Sequence, residues 1–279
     1  MVVMGRAQLA DPDFLNKAKA GQLDDIDYCV GCDQGCLDGF ADENCPQITC
    51  LRNPAVGREL ECKIVKAEKP ETVLVAGAGI AGLEAAIVLQ QRGHQAIVCE
   101  ASDKVGGQFL TAGEAPRKGE MKAAVIAMGK KAARLGADIR LNTPVTAELI
   151  EEIKPHTVFN AIGATPIIPN ILGKDQKFVV NSHDVLNGLA TPEGNVVVIG
   201  GGLVGLEVCE YLAEKGCKVT VLEMMKECGA DLGMARKICV QESLYMSGVV
   251  QQTEVTVKEI AEGKVIGEKA GETVEYPCD

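Results

Sequence analysis

The chain has 279 residues, a hydrophobic content of 47% and 31 glycines, which is enough for about two globular domains. Its formal net charge of −11 argues against a nucleic-acid-binding face, because such a face needs clustered Lys and Arg. No apolar run reaches the roughly 18 residues of a membrane span, and the N-terminus has no signal-peptide pattern, so we expect neither a nucleic acid nor a membrane as partner.

The first part of the chain divides into two predicted segments. Residues 1–27 begin with a short apolar run, and a helix is predicted from Asp11 to about Ala20. Residues 28–62 are rich in Cys, Gly, Asp and Asn without periodicity, which predicts a loop wrapped around a bound group. Five of the 12 cysteines fall within residues 29–50, and we expect the others to be buried thiols of a cytoplasmic protein.

The cysteine spacing predicts an iron–sulfur site. Thiolates that hold a 4Fe–4S cluster must converge on one small cube, and closely spaced cysteines can supply three of its corners. Cys29, Cys32 and Cys36 have this spacing, and either Cys45 or Cys50 can supply the fourth corner. A structural zinc site is the alternative, but zinc usually takes two separated pairs of ligands rather than a triplet and one. A loop of free thiols is the third interpretation.

A nucleotide-binding unit follows the cysteines. Residues 73–76 predict a buried parallel strand, residues 80–92 have helical spacing, and residues 95–100 predict a second strand. Between the first strand and the helix stands a Gly-x-Gly-x-x-Gly motif, which permits a sharp turn and a close approach of the backbone to a pyrophosphate. An acid that ends the second strand can bind both hydroxyls of an adenosine ribose. The predicted site consists of Gly77, Gly79, Gly82 and Glu100.

The same unit recurs later in the chain. Adding 123 to the number of each residue of the first site gives a second glycine motif and a second acid. Only two copies occur, which indicates two dinucleotide-binding domains rather than a solenoid. The second predicted site consists of Gly200, Gly202, Gly205 and Glu223.

The residues after each acid distinguish the two cofactors. Two glycines and Gln108 come soon after Glu100, as in the flavin domain of flavoproteins with two dinucleotide sites, so we expect FAD in the first copy. Glu223 is followed by two methionines and by no Arg that could receive a 2′-phosphate. This favours NADH over NADPH in the second copy, although Lys226 keeps NADPH open.

The remaining predicted elements complete the two α/β units. They are a helix at 122–135, strands at 138–141 and 157–161, a helix at 231–247 and antiparallel strands within 249–276. No cysteine occurs between Cys99 and Cys209, so the redox dithiol of disulfide reductases is absent and electrons that leave the flavin need another acceptor. The three histidines are isolated, and we assign no catalytic side chain.

Together these motifs resemble the iron–sulfur flavoproteins of the old yellow enzyme class, such as 2,4-dienoyl-CoA reductase, 2-enoate reductase and trimethylamine dehydrogenase. Gly5 and Arg6 are similar to the end of their flavin-binding barrel, where this pair holds the FMN phosphate. In that family Asn-Pro closely follows the fourth cluster ligand, and Asn53 with Pro54 therefore implies Cys50 as the ligand. The residues that resemble the FAD domain after its acid are Gly107 and Gln108.

The resemblance implies an α/β fold with two Rossmann-like, three-layer dinucleotide-binding domains, preceded by an iron–sulfur loop and a remnant of a TIM barrel. The implied boundaries are 1–27 for the barrel end, 28–62 for the iron–sulfur segment, 63–168 for the FAD-binding domain and 169–279 for the NAD-binding domain. On this comparison we expect the chain to be the C-terminal part of such a protein, without most of the barrel and without the final FAD-domain segment.

The implied activity is that of an NADH-dependent flavoprotein oxidoreductase. Electrons would pass from NADH through FAD to the 4Fe–4S cluster, and in the intact family to FMN and a small enoate or dienoyl-type substrate. Two alternatives remain open from the sequence: an electron-transfer subunit that serves a separate acceptor protein, and a nucleotide-binding module without turnover. The sequence also leaves open a homo-oligomer.

Overall fold

The computed structural model describes residues 2–44 and 46–279, and the chain divides into two units. Unit 1 consists of Met1–Gly113 and Lys118–Ala164, and unit 2 consists of Glu114–Arg117 and Thr165–Asp279. None of the helices in the described residues combines the length and the apolarity that a bilayer crossing demands.

Unit 1 is built on a four-stranded parallel sheet with the order β3-β2-β1-β4. Its central strand is a continuous apolar run because helices cover both faces of such a sheet. Val73, Leu74, Val75 and Ala76 are all buried. The strands are β1 (Thr72–Ala76), β2 (Gln95–Cys99), β3 (Asp138–Arg140) and β4 (Thr157–Asn160).

The helices of unit 1 follow the glycine and proline signals of the sequence. The helix after β1 begins at Ile80 and ends at Arg92, where Gly93 takes a left-handed conformation with φ 92° and closes the helix. Short turns of other kinds occur at Leu23–Asp25 (3₁₀) and Gln34–Asp38 (π). The α-helices are α1 (Gly5–Ala10), α2 (Phe14–Lys19), α3 (Ile80–Arg92), α4 (Gln108–Ala112), α5 (Gly119–Arg134) and α6 (Ala147–Ile153).

The helix predicted from Asp11 to about Ala20 is confirmed as α2, whereas α1 was not predicted. Helix α2 begins at Phe14 rather than at Asp11, and Asp11 lies between α1 and α2 with φ −145° and ψ 98°. Proline disfavours the helical conformation in the residue before it, so Pro12 ends one helix and α2 starts two residues later. Residues 2–27 contain helices and no strand, and the assignment of residues 1–27 to the end of a barrel stays a prediction.

Asp11 connects the N-terminal helices to the start of the cysteine segment. Its carboxylate is buried, with 3% of the side chain exposed, and accepts hydrogen bonds from Lys17 Nζ at 2.6 Å, the Asp27 amide at 2.9 Å and the Asp13 amide at 3.0 Å. Burial by itself raises the pKa of this carboxyl, but the bonds from Lys17, Asp27 and Asp13 outweigh burial and hold the pKa below its ordinary value.

Replacing Asp11 by Asn is expected to lower the free energy of unfolding by about 2 kcal/mol at pH 7, because hydrogen bonds to a charged group are lost. Because the pKa of Asp11 is lower in the folded state, its carboxylate stabilises the fold at pH values above the unfolded-state pKa of about 3.9. This stabilisation is lost as the pH falls through the folded-state pKa. Urea denaturation should therefore show the difference between wild type and Asp11→Asn closing below about pH 4. Asp24→Asn, at an exposed position, is the control. An equal difference at pH 7 and pH 3 would contradict this account.

Unit 2 repeats the βαβ arrangement and adds a small antiparallel sheet. Its parallel sheet has the order β5-β6-β7, and its antiparallel sheet has the order β10-β9-β8. The strands are β5 (Asn195–Ile199), β6 (Lys218–Leu222), β7 (Val250–Gln252), β8 (Thr256–Ala261), β9 (Lys264–Lys269) and β10 (Glu272–Pro277). The helices are α7 (Ser182–Leu186), α8 (Leu203–Glu214) and α9 (Met234–Met246).

The prediction for residues 249–276 is confirmed for β8 to β10 and is wrong for β7. Val250–Gln252 pairs in parallel with β6, because α9 carries the chain back across the sheet before this strand begins. Val249 is buried against the core of unit 2, which fixes the strand beside β6.

The two parallel sheets differ at one edge. In unit 1, β4 pairs with β1, whereas the described residues of unit 2 place no strand beside β5 on the side away from β6. Within the described part of the chain, Asn195 at the start of β5 is the only residue of this strand that is bonded on this side, to Asp279. The apolar residues 196–199 of β5 consequently line an open cavity of about 610 Å³ within unit 2.

Candidate functional site

The first glycine motif forms the turn between β1 and α3, as predicted. Gly77 has φ 101°, and a Cβ atom there would lie 2.4 Å from the Ala161 carbonyl oxygen. A Cβ atom at Gly82 would lie 1.9 Å from the Gly77 carbonyl oxygen, so α3 could not pack this closely with any other residue. A Cβ atom at Gly79 would meet no atom within 4 Å. Two of the glycines are thus required by the protein's own packing, and the middle one faces open space.

This geometry fits a dinucleotide. Gly79 precedes the first residue of α3, where the free amides and the positive end of the helix dipole attract a pyrophosphate. A phosphate can approach the backbone there because no side chain stands in the way.

Glu100 stands at the end of β2 and is held by the same loop. Its Oε2 accepts a hydrogen bond from the Ala78 amide at 2.7 Å, and its Oε1 accepts bonds from the amide and the hydroxyl of Ser102 at 2.9 Å. Burial favours the neutral carboxyl, but the bonds from Ser102 and Ala78 outweigh it and lower the pKa of Glu100. A fixed, ionised carboxylate beside the glycine loop is the acceptor that ribose hydroxyls need.

The second motif has the same construction between β5 and α8. A Cβ atom at Gly205 would lie 1.9 Å from the Gly200 carbonyl oxygen, and one at Gly202 would meet no atom within 4 Å. Glu223 Oε2 accepts a bond from the Gly201 amide at 2.7 Å, and its Oε1 accepts one from the Met225 amide at 2.7 Å. Gly201 and Met225 are the residues 123 positions after Ala78 and Ser102. The amides at equivalent positions therefore bind the acid in both copies of the repeat.

The glycines after each acid also lie against the loop. The Gly106 amide donates to the Ala78 carbonyl at 2.8 Å, and a Cβ atom at Gly107 would lie 3.3 Å from Gly79 Cα. The Gln108 side chain donates to the Ala164 carbonyl. In unit 2 the Gly229 amide makes the corresponding bond to the Gly201 carbonyl at 2.7 Å.

Gly229 is a residue that the sequence analysis missed. The signal was present, because 229 is 106 plus 123. Ala230 stands where the first copy has Gly107, so the pair of glycines remains a feature of unit 1 alone.

The structure brings four of the predicted cysteines around one small cavity in unit 1. All four are partly buried, and Cys36 lies on the π-helical turn Gln34–Asp38. Backbone contacts close the loop, since the Thr49 amide donates to the Gly35 carbonyl at 2.7 Å. Cys45, the alternative fourth ligand, lies outside the described residues. The cysteines that line the cavity are Cys29, Cys32, Cys36 and Cys50.

The thiols of this cavity influence one another. Burial raises the pKa of Cys32, and the nearby Cys36, Cys50 and Cys29 raise it further. A bound cation would be needed to offset this effect and draw off the protons. Among the described residues, no three or more His, Cys, Asp or Glu side chains form a ready site for a metal ion.

Arg6 and Arg52 line the same cavity. The Arg6 guanidinium is ion-paired with Asp33, inside the cysteine loop, and Gly5 is the first residue of α1. The assignment of Gly5 and Arg6 to an FMN phosphate stays a prediction. The guanidinium of Arg52 is bonded to the residues that precede Cys29, and sequence analysis gave no signal for it.

Comparison with known proteins gives one family profile and several similar proteins. The profile described as pyridine nucleotide-disulphide oxidoreductase matches residues 73–279. Bilirubin reductase of Mediterraneibacter gnavus is 38% identical over 279 residues, which is 100% of this chain and 43% of the relative. NADH oxidase of Thermoanaerobacter brockii is 36% identical over 264 residues, which is 93% of this chain and 40% of the relative.

A solved structure of 2-naphthoyl-CoA reductase with 2-naphthoyl-CoA superposes with a TM-score of 0.92 at 32% identity, over 98% of this chain and 41% of that chain. The chain therefore spans less than half the length of these similar proteins.

Proposed function

Because the chain belongs to the pyridine nucleotide-disulphide oxidoreductase family, we propose that it passes electrons from NADH through FAD to a 4Fe–4S cluster. The matched region is a flavin- and nicotinamide-binding oxidoreductase domain of Rossmann-like α/β fold. The resemblance to NADH:flavin oxidoreductases of the old yellow enzyme class is confirmed by the named reductases and the NADH oxidase among its relatives. The finer path through three cofactors is the proposal.

Unit 2 supplies the proposed NADH site. The open backbone at Gly202 and the N-terminus of α8 would receive the pyrophosphate, and Glu223 would accept hydrogen bonds from the adenosine ribose. Met224 and Met225 are exposed beside Glu223 and offer no positive charge to a 2′-phosphate. This arrangement supports NADH rather than NADPH.

Unit 1 supplies the proposed FAD site through Gly77, Gly79, Gly82 and Glu100. Gly107 is packed against Gly79, and Gln108 follows it in the next turn, so both would border the flavin dinucleotide. When bound, the nicotinamide, flavin and iron–sulfur groups supply the hydride and electron transfer, while the chain positions them.

The observation that carries the proposal is the cavity lined by Cys29, Cys32, Cys36 and Cys50. It lies in unit 1, the unit that also contains the first glycine loop. The family is named for disulphide reduction, yet the sequence has no cysteine between Cys99 and Cys209 to form a dithiol there. Four cysteines that surround one cavity would hold the alternative acceptor, a 4Fe–4S cluster.

In a longer protein the electrons would continue to FMN and to a small substrate with a conjugated double bond, of the enoate or dienoyl type. Bilirubin reductase and 2-naphthoyl-CoA reductase are named for reducing conjugated compounds, which supports this substrate class. Gly5 and Arg6 are the residues proposed to contact the FMN phosphate.

The proposal is tested with protein purified without oxygen. Its visible spectrum should contain flavin bands and a broad shoulder near about 400 nm, with about four irons per chain. Addition of NADH should bleach these bands, and NADPH should do so only at higher concentration. Colourless protein that contains zinc, or coloured protein that NADH leaves unchanged, would refute the electron path.

A further inference from the structure

Arg52 occupies an unusual position for a cation. Only 5% of its side chain is exposed, although it follows Cys50 by two residues and lines the cysteine cavity. A buried guanidinium must be fully paired, because leaving its charge unbalanced costs several kcal/mol. The contacts of Arg52 therefore indicate what its burial achieves.

The guanidinium of Arg52 connects the two ends of the cysteine loop to helix α5 of unit 1. Its Nη2 donates to Asp27 Oδ1 at 2.9 Å, and its Nε donates to the Tyr28 carbonyl at 3.4 Å, directly before Cys29. Its Nη1 lies 3.0 Å from the sulfur of Met128 on α5. Arg52 thus contacts the chain next to the first ligand, near the fourth ligand and on a core helix.

Two cations share one carboxylate in the ion-paired group around Arg52. Asp27 carries one negative charge and is bonded to two cations, since Lys131 Nζ lies 2.7 Å from Asp27 Oδ2. Glu84 on α3 faces the same group, and burial raises the pKa of its carboxyl and favours the neutral form. Arg6, the other cation of the cavity, is paired one to one with Asp33. The side chains of Asp27, Arg52 and Lys131 by themselves carry two positive charges and one negative charge.

We propose that Arg52 is a positioning residue that raises the reduction potential of a cluster held by Cys29, Cys32, Cys36 and Cys50. The inference rests on the proposed function. A cluster becomes more negative by one charge when it gains an electron, and a fixed positive charge beside it favours that state. The low exposure of Arg52 keeps water from screening the effect.

The test is an anaerobic titration of the full chain with dithionite and redox mediators, followed by visible absorbance and electron paramagnetic resonance. The S–S bond of dithionite breaks to give SO2 radical anions, and oxidation of each radical anion to sulfite supplies one electron to a cluster, which itself makes and breaks no bond. Arg52→Met should shift the midpoint to a more negative potential by about 59 mV, the equivalent of a tenfold change for one electron. Arg52→Lys keeps the positive charge and should keep the midpoint close to the wild-type value. Arg58→Met, at an exposed position of the same segment, should leave the midpoint unchanged.

Lys131→Met is the second variant, because it removes a charge from the same group without touching the contacts of Arg52 to the loop. If Arg52→Met fails to retain iron, a negative shift in Lys131→Met still supports the proposal. Unchanged midpoints in the iron-loaded variants would overturn it. Wild-type protein without iron would instead overturn the proposed function, so the two failures are distinguishable.

Discussion

Cys50→Ser is expected to lose at least about nine tenths of the iron bound to the anaerobically purified protein, because a 4Fe–4S cluster needs all four thiolate corners. Cys50 lines the same cavity as Cys29, Cys32 and Cys36, and no other described cysteine does so. A serine oxygen at this position is a poor replacement for a thiolate. Iron and acid-labile sulfide, measured per chain, should fall together while the flavin content stays constant.

Cys62→Ser is the matched control for this loss. Cys62 is an exposed thiol of the same segment and does not line the cavity. Its replacement should leave iron, sulfide and the shoulder in the visible spectrum unchanged. If Cys50→Ser retains iron and Cys45→Ser loses it, the fourth ligand is Cys45. Retention in both variants would eliminate the ligand set as proposed.

Gly79→Ala and Gly202→Ala are expected to weaken one cofactor each while the protein without cofactors keeps its stability. Both glycines have φ near −75°, which alanine adopts readily, and an added Cβ meets no protein atom within 4 Å. The methyl group would collide only with the pyrophosphate. We expect FAD affinity to fall at least about tenfold in Gly79→Ala and NADH affinity to fall at least about tenfold in Gly202→Ala, about 1.4 kcal/mol each.

Fluorescence titration with each dinucleotide and thermal melting of the cofactor-free variants check this expectation. Gly82→Ala is the contrasting variant, because its Cβ would lie 1.9 Å from the Gly77 carbonyl oxygen and should destabilise the fold itself. An exchange of the two affected cofactors would reverse the assignment of the repeats. If both glycine variants bind FAD and NADH with unchanged affinity, these loops are not the dinucleotide-binding sites.

The βαβ units could be predicted almost to the residue. The helix predicted over 80–92 is α3, and the glycine loop before it forms as expected, because apolar runs and glycines specify these elements locally. The later start of α2, at Phe14, was missed although Pro12 is a local signal, and α1 was not predicted. The parallel pairing of β7 depends on where the chain emerges from α9. The alternation of apolar and polar residues over 249–276 carries no information on that position.

The surroundings of the cysteines could be predicted only in part. The spacing of the first three cysteines identified the loop, and Cys50 joins them in the structure. The role of Arg52 depends on Asp27, 25 residues away, and on Met128, 76 residues away. Such contacts arise from tertiary packing, and no periodicity or motif in one sequence encodes them. The boundaries at 27, 62 and 168 stay predictions.

The uncovered side of β5 has a consequence for the behaviour of this chain in solution. The amides and carbonyls of residues 196–199 that do not pair with β6 stand at this edge together with valine and isoleucine side chains. This stretch carries neither the lysine nor the proline that commonly protects an edge strand. Two molecules that meet there can form intermolecular ladders. Turbidity on heating should consequently rise with protein concentration, and the temperature at which it starts will depend on collisions as well as on the loss of internal packing.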